Sequence, residues 1–134
     1  MPSNVQMLNP DSLGPPLGPY SHIARVKASE LLFIAGQVGA DRDGKVVGDF
    51  DAQCTQLFAN IGAALSSQGA SFANIVETTT YLVHSQDIPK LMQYRAREFP
   101  RLFAGGAYPP NTLLVVDRLF REELLIEVSA MAAL

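Results

Sequence analysis

The sequence predicts a single α+β domain, residues 1–134, in which two helices cover one face of a single mixed β-sheet. Two segments repeat apolar residues at the spacing of one helical face, and several others are rich in β-branched residues. The segments follow in the order strand, strand, short strand, helix, strand, helix, strand, strand. No repeat or long linker divides them, and a chain of this length can bury roughly two-thirds of its unfolded surface in one core.

Charge and composition disfavour several classes of protein. The formal net charge is −3 and the ten basic residues are scattered, whereas nucleic-acid binding depends on clustered cations that neutralise phosphates. Cys54 is the only cysteine, so no intramolecular disulfide is possible and a reduced, cytoplasmic thiol is expected. No apolar run approaches the roughly 20 residues of a membrane helix. We therefore expect a cytoplasmic protein with no nucleic-acid partner, no membrane partner and no metal or other cofactor.

The N-terminal third predicts an arm and two strands. Residues 1–19 hold most of the prolines, which fix φ and remove a hydrogen-bond donor, so residues 1–18 are expected to form an extended arm without regular structure. Residues 20–27 alternate with period two, as in a strand with one solvated face. Residues 31–39 are almost continuously apolar, which predicts a central strand buried on both faces. The brief turn between these two strands predicts that they form a hairpin.

The middle of the chain predicts a short strand at residues 46–47, a helix and then a strand. Asp49 or Asp51 can cap the helix, which ends before Gly69. The strand covers residues 75–83, which are rich in valine and threonine. The buried helical stripe comprises Cys54, Leu57, Phe58, Ile61 and Leu65.

A second helix is predicted to begin at Ser85 or Asp87, because Pro89 suits a first helical turn. Pro100 predicts that this helix kinks or ends near Phe99, leaving residues 101–107 as a loop. The predicted buried stripe comprises Ile88, Leu91, Met92, Phe99 and Leu102, and the predicted solvated side comprises Arg95, Arg97 and Arg101.

The last two strands, residues 108–119 and 124–132, are joined by the charged segment 120–123 and are therefore predicted to be antiparallel neighbours. Asn111 and Glu127 are the notable polar residues in these apolar runs. Helices on one side leave the other sheet face substantially apolar, so we expect a homo-oligomer.

Four short strings, in order and at matching spacing, resemble the Rid (YjgF) family, whose known members hydrolyse reactive enamines and imines. The resemblance extends from about residue 14 to residue 132. It implies a chorismate-mutase-like fold, a homotrimer whose sheets form a central barrel, and intersubunit clefts that bind a small-molecule metabolite. The strings are Gly18-Pro19-Tyr20-Ser21, Ile34-Ala35-Gly36-Gln37-Val38-Gly39, Val76-Glu77-Thr78-Thr79 and Ile126-Glu127-Val128-Ser129-Ala130-Met131-Ala132.

The resemblance also implies roles for individual residues. Tyr20 matches the tyrosine of the family's Gly-Pro-Tyr-Ser string, and Glu127 matches the glutamate assigned to water activation. The cleft-lining segment corresponds to Ala35, Gly36 and Gln37, with alanine in place of the family's serine.

Three further positions depart from the family pattern. Asn111 occupies the place of the arginine that clamps the substrate carboxylate in the deaminases. Leu113 replaces a cysteine found in many members, and Met92 replaces a ligand-holding asparagine on the second helix.

The chemistry of these residues limits the substrate. An arginine pairs with a carboxylate through two charged hydrogen bonds, whereas Asn111 offers one neutral donor group and one acceptor. Asn111, with Thr112 as a possible assistant, therefore suits a neutral amide, carbonyl or hydroxyl better than a carboxylate.

Glu127 and Tyr20 each have a structural alternative. A glutamate among apolar neighbours can take and return a proton near neutral pH, but Glu127 could instead pair with Arg118 or Arg121. Tyr20 could donate a hydrogen bond to a ligand or pack as an amphipathic aromatic residue.

Two functions of different classes remain open on the sequence. The first is a Rid-like hydrolase or deaminase for a small imine, enamine or related carbonyl metabolite, with a substrate that differs from the usual 2-imino acid. The second is a non-catalytic ligand-binding or chaperone-like trimer that kept the cleft and lost the reaction. Ribonuclease activity is a weaker third candidate, because no paired histidines accompany the basic residues.

Overall fold

The computed structural model describes residues 4–134 and confirms the α+β class, with two helices packed on a mixed sheet. The helices are α1, Phe50–Ser67, and α2, Ile88–Leu102. Short 3₁₀ turns at Phe72–Asn74 and Ser85–Asp87 precede a strand and α2, respectively. The strands are β1, Val5–Leu8; β2, Ile23–Val26; β3, Leu31–Val38; β4, Ile75–Leu82; β5, Asn111–Val115; and β6, Ile126–Ala133.

The main sheet has the strand order β3-β6-β4-β5, with β5 parallel to β4 and the other pairs antiparallel. The predicted pairing of the last two strands is therefore wrong, because β6 lies between β3 and β4. A strand that returns through a helix is free to pair in parallel with the strand before that helix, and β4-α2-β5 is such a unit. This unit takes β5 to the sheet edge, and the loop 116–125 carries the chain back to the centre.

Two predictions for the N-terminal region are also wrong. β2 pairs with β1 rather than with β3, so Val5–Leu8 in the predicted arm forms a strand, although residues 1–3 of the arm lie outside the described residues. β3 is an edge strand rather than a central one, and Phe33 on it is 73% exposed. A strand buried within its protomer and a strand that presents its apolar side chains outward can have the same apolar sequence, so the sequence alone does not tell them apart. The predicted strand at residues 46–47 is reduced to a single bridge between Ala40 and Val46.

Helix α1 begins as predicted, since the Asp49 carboxylate accepts a hydrogen bond from the Ala52 N–H at 3.0 Å. Its predicted stripe is confirmed, because all five residues are buried. Helix α2 continues past Pro100 to Leu102, so it does not end at Phe99 and the loop begins at Phe103 rather than at Arg101, whereas the alternative of a kink stays a prediction. A proline so close to the helix end removes only one of the last backbone hydrogen bonds.

The side chains of α2 correct a second prediction. Leu91 and Phe99 are buried as expected, and Ile88, Met92 and Leu102 pack partly buried against the core. Arg95, however, is only 4% exposed and does not belong to the solvated side of the helix. Arg97 and Arg101 are exposed and pair with Asp51 and Glu98 respectively.

The two faces of the main sheet differ. The helix face, which α1 and α2 cover, includes Ile126, Val128 and Ala130 of β6, all buried in the core. The open face is the opposite side, and the β1–β2 ribbon covers one end of it through contacts of Val5 with Val76 and Ala133. The rest of the open face leaves large apolar side chains accessible, among them Leu31, Phe33 and Leu114. The homotrimer with a central barrel remains a prediction that this apolar surface and the family favour.

Candidate functional site

Glu127 lies on the open face of β6, at the centre of the main sheet. Its strand neighbours are Val38 on β3 and Tyr81 on β4. Because Ile126 and Val128 on either side point into the core, strand alternation directs Glu127 away from the helices. The side chain is half-buried, so water and a small ligand can reach it.

The Glu127 carboxylate packs directly against Gly36. A Cβ atom at position 36 would overlap the carboxylate, so the lack of a side chain there is what makes room for Glu127. The β3–β6 register shifts between Ile34 and Gln37, which places Gly36 in an irregularity of the strand. The Gln37 side-chain amide donates to the Ala35 carbonyl at 3.1 Å. The structure therefore brings the predicted cleft segment and the predicted acid/base residue together.

The structural alternative for Glu127 is not observed. Arg118 donates to the carbonyls of Leu119 and Phe120, and its nearest carboxylate is that of Glu122, at 3.7 Å. Arg121 donates to the Gly44 carbonyl at 2.8 Å. Among residues 4–134, Glu127 therefore has no salt bridge and keeps a carboxylate available for other partners.

Asn111 lies on the helix face at the start of β5 and is held by two threonines of β4. Its Oδ1 atom accepts hydrogen bonds from the hydroxyls of Thr80, at 2.7 Å, and Thr78, at 3.0 Å. The Pro110 carbonyl accepts from the Thr78 N–H at 2.9 Å, which fixes the Pro-Pro corner beside β4. With Oδ1 engaged twice, the Nδ2 group of Asn111 is the donor left for a ligand.

Arg95 reaches the same threonine from helix α2. One terminal nitrogen of its guanidinium donates to the Thr80 hydroxyl at 3.2 Å, and its Nε atom is buried without a hydrogen-bond partner. The guanidinium carbon lies 5.5 Å from the centroid of the Phe99 ring. Burial lowers the pKa of Arg95 to about 10. No carboxylate in the described part of the chain lies within ion-pair distance of this guanidinium.

A narrow cavity adjoins Arg95, Asn111 and the two threonines. Its free volume is about 10 Å³, which is room for roughly one water molecule. The cavity is lined by Pro19, Phe58, Thr78, Thr80, Arg95, Phe99, Phe103, Pro109, Asn111 and Val128.

Met92 and Tyr20 are two further residues that the sequence predicts for the site. Gly18 lies next to the Met92 sulfur, so the arm passes over helix α2 close to the Arg95 cavity. The Tyr20 hydroxyl accepts a hydrogen bond from the Leu17 N–H at 3.2 Å, and its ring packs edge-on against His22. Its own proton therefore remains available to a ligand.

Thr112 and Leu113 follow the alternation of β5. Leu113 packs partly buried against the core, on the side of Asn111. Thr112 pairs with Thr79 and faces the open side, so it cannot assist Asn111 within one protomer as expected.

Glu127 and Asn111 lie on opposite faces of one sheet, so a single protomer cannot present both to one small ligand. A site that uses both requires residues from two subunits. The intersubunit cleft that the family resemblance implies stays a prediction, and the division of the two residues between opposite faces was not predicted.

The sequence interpretation missed Arg95, Thr78 and Thr80. A signal for Arg95 was present, because it lies four residues after Leu91 and four before Phe99, on the buried stripe of α2. The threonines alternate with the exposed Glu77 and the half-buried Thr79, which marks them as facing the helices.

Three other features find no support in the described residues: a reactive thiol, a metal site and a membrane-spanning helix. Burial raises the pKa of the Cys54 thiol to about 12, so it stays protonated and unreactive at neutral pH. Residues 4–134 contain no cluster of three or more histidine, cysteine or acidic side chains that could hold a metal ion. None of the helices within this range has the length and apolarity to cross a bilayer.

These features define a small α+β protein with a carboxylate on the open sheet face and a threonine–asparagine–arginine cluster beneath the helices. Residues 12–134 match the family model described as Endoribonuclease L-PSP. The chain belongs to this family, which is the Rid (YjgF) family that its sequence strings resemble.

Comparisons with individual proteins agree. The chain is 36% identical to a RutC family protein of Pyrococcus horikoshii over 119 residues, covering 87% of this chain and 88% of the relative. It is similar to the crystal structure of YyfB from Yersinia pestis, a Rid-family protein of unknown function, with a TM-score of 0.86 and 33% identity over 98% of this chain and 99% of that one. A more distant relative, named a 2-iminobutanoate/2-iminopropanoate deaminase from Dermatophagoides farinae, is 26% identical over 78 residues, which is 57% of this chain and 59% of the relative.

Proposed function

We propose that the protein hydrolyses a small imine, enamine or related carbonyl metabolite, with Glu127 activating the attacking water. The observation that carries this proposal is the Glu127 carboxylate, which has no salt bridge in the described chain and is accommodated by the glycine at position 36. Membership of the Rid family and the deaminase name of one distant relative support the reaction class.

The chemistry follows from the position of that carboxylate. Glu127 accepts a proton from a water molecule while the water oxygen attacks the imine carbon. Glu127 returns this proton to the nitrogen, which gives an intermediate with a hydroxyl and an amino group on the same carbon. Glu127 then takes the hydroxyl proton and passes it to the nitrogen, so that the carbon–nitrogen bond breaks, ammonia leaves and the carbon becomes a carbonyl. An enamine reaches the same intermediate after protonation at carbon. No cofactor is required, because the substrate carbon is already electrophilic.

Substrate anchoring differs from that of the usual 2-imino acid deaminases. Asn111 replaces the clamping arginine and has only its Nδ2 group free, because Thr78 and Thr80 occupy Oδ1. Asn111 lacks both the positive charge and the paired donors with which an arginine selects a carboxylate, and its Nδ2 group can also bind a carbonyl or hydroxyl oxygen, so Asn111 alone does not select an acid. The apolar open face supports a homotrimer in which Asn111 of one subunit and Glu127 of the next meet at one cleft.

The test is ammonia or carbonyl release from a panel of enzymatically generated imines and enamines. Wild type should exceed the spontaneous rate for at least one substrate, and Glu127→Ala should return that rate to background. Glu122→Ala, an exposed glutamate in the preceding loop, is the matched control and should retain full activity. Wild-type rates at background for the whole panel would contradict the proposal.

A non-catalytic ligand-binding trimer is the second candidate. The observation that favours it is the loss of the arginine at position 111 together with the small free volume of the adjacent cavity. It predicts that metabolites raise the melting temperature with no turnover, and turnover abolished by Glu127→Ala would exclude it.

A further inference from the structure

Arg95 is unusual because its charged guanidinium is buried. A guanidinium that is 4% exposed would ordinarily face a carboxylate, yet the described chain supplies none, and the Nε atom has no hydrogen-bond acceptor. Phe99 and the Thr80 hydroxyl are its polar or π contacts. A buried charge without a counter-charge is costly, so the presence of Arg95 at this position points to a partner that arrives from outside the protomer.

The surroundings of Arg95 are arranged for an anion. Arg95 donates to Thr80, and Thr80 in turn donates to Asn111, so that the positive charge polarises the asparagine amide through one hydroxyl. The result is two unused donors around one cavity, the Nε group of Arg95 and the Nδ2 group of Asn111. No acidic side chain lines the cavity to compete for them.

We propose that Arg95, with Asn111 beside it, anchors a small carboxylate-bearing ligand in this cavity. The inference rests on the proposed function in taking this ligand to be the substrate. In this proposal the positive charge that Asn111 does not supply at the start of β5 comes instead from Arg95 on helix α2. Arg95 is more buried than Asn111 and connects to it only through Thr80, so a carboxylate held by Arg95 lies at a different place in the cavity from one held by an arginine at position 111. That difference in position agrees with a substrate other than the usual 2-imino acid.

The cavity must open for this ligand. A free volume of about 10 Å³ admits roughly one water molecule, so a carboxylate enters only when a lining segment moves. Pro19, Phe103 and Pro109 are the three lining residues outside the helices and strands, whereas the other seven belong to them. In this proposal the entrance lies among these three residues.

Binding can be tested without any turnover. Propionate and its neutral counterpart propionamide are titrated into wild-type protein at constant ionic strength, with dissociation constants measured by calorimetry. Wild type should bind propionate at least about tenfold more tightly than propionamide, as expected for a charged hydrogen bond in a desolvated site. Equal affinities would overturn the inference.

Variants of the protein test whether Arg95 causes the preference for propionate over propionamide. Arg95→Met should abolish the discrimination, and Arg95→Lys, which keeps a charge but loses the planar fork, should retain part of it. Arg101→Met is the matched control, since Arg101 lies on the same helix with its side chain 69% exposed, and it should behave as wild type. A preference for propionate that persists in Arg95→Met would overturn the inference, and so would chloride or phosphate producing the same Arg95-dependent effect as propionate. If Arg95→Met fails to fold, the comparison of wild type with Arg95→Lys decides.

Failure of this inference and failure of the proposed function are distinguishable. If the protein hydrolyses neutral imines through Glu127 but binds no carboxylate, only the proposed role of Arg95 is wrong. If the protein binds carboxylates through Arg95 but shows no turnover, the proposed anion site stands and the proposed reaction is wrong.

Discussion

Replacement of Arg95 by methionine should make the protein more stable, although it removes a buried hydrogen bond. Burial lowers the pKa of Arg95 to about 10, so the charged form is disfavoured in the fold at every pH below that value. The corresponding penalty is roughly 3 kcal/mol at neutral pH, and it shrinks only as the pH rises above about 10. Methionine removes this penalty and fills much of the same volume.

The stabilising free energy lost with the guanidinium is smaller than this penalty. The hydrogen bond from Arg95 to Thr80 is worth about 1 kcal/mol, and the Thr80 hydroxyl keeps its bond to Asn111. The net expectation is a gain of about 1–2 kcal/mol, because the desolvation penalty that methionine removes exceeds the hydrogen bond that it loses. For a chain of this size, that gain corresponds to a rise in melting temperature of roughly 3–8 °C.

The assay is urea unfolding of wild type and Arg95→Met at equal protomer concentration, because assembly would make the apparent stability depend on concentration. Arg101→Met, which breaks only an exposed ion pair with Glu98, should change the free energy of unfolding by less than about 1 kcal/mol. A loss of about 2 kcal/mol or more in Arg95→Met would refute the reasoning, because it would show that the guanidinium is compensated within the protein.

Three further predictions concern other residues of the fold. Gly36→Ala should displace the Glu127 carboxylate and lower turnover at least about tenfold, while Gly14→Ala, where an added Cβ meets no neighbour, should leave turnover unchanged in the same assay. Asn111→Arg should confer ammonia release from 2-imino acids if only the anchor is missing, and an unchanged rate would show that the cleft excludes them for another reason. The Cys54 thiol, whose pKa burial raises to about 12, should react with a disulfide reagent at pH 8 only after urea unfolding, and rapid labelling of the native protein would contradict its burial.

The helices were predictable because packing against one sheet imposes a repeat that the residues display directly. The α1 stripe from Cys54 to Leu65 is buried throughout, and Asp49 caps the helix through the Ala52 N–H. Local rules of this kind depend on neighbours a few residues away, and those neighbours are visible in the sequence.

Strand pairing was less predictable because it depends on contacts between distant segments. β5 and β6 are close in sequence but separated by β4 in the sheet, and β2 pairs with the proline-rich arm through Val5–Leu8. The βαβ geometry of β4, α2 and β5 carried the relevant information, since a helical crossover permits parallel pairing.

The site was predicted residue by residue, and its division between two faces was not. Strand alternation gives that division once the core face of each strand is known: Ile126 and Val128 are buried, so Glu127 faces outward. Asn111 bonds to Thr80, which is buried beneath α2, and therefore faces inward. Both assignments require the packing partner of the sheet, which no single strand reveals.

The measurement that tests the central claim most directly is the turnover of Glu127→Gln on the best substrate found in the imine panel. Glutamine preserves the size of the side chain beside Gly36 but cannot accept a proton, so the variant should fold and assemble as wild type while its turnover falls by about 10² or more. Turnover equal to that of wild type, from a variant of unchanged stability, would contradict the assignment of Glu127 as the residue that activates water.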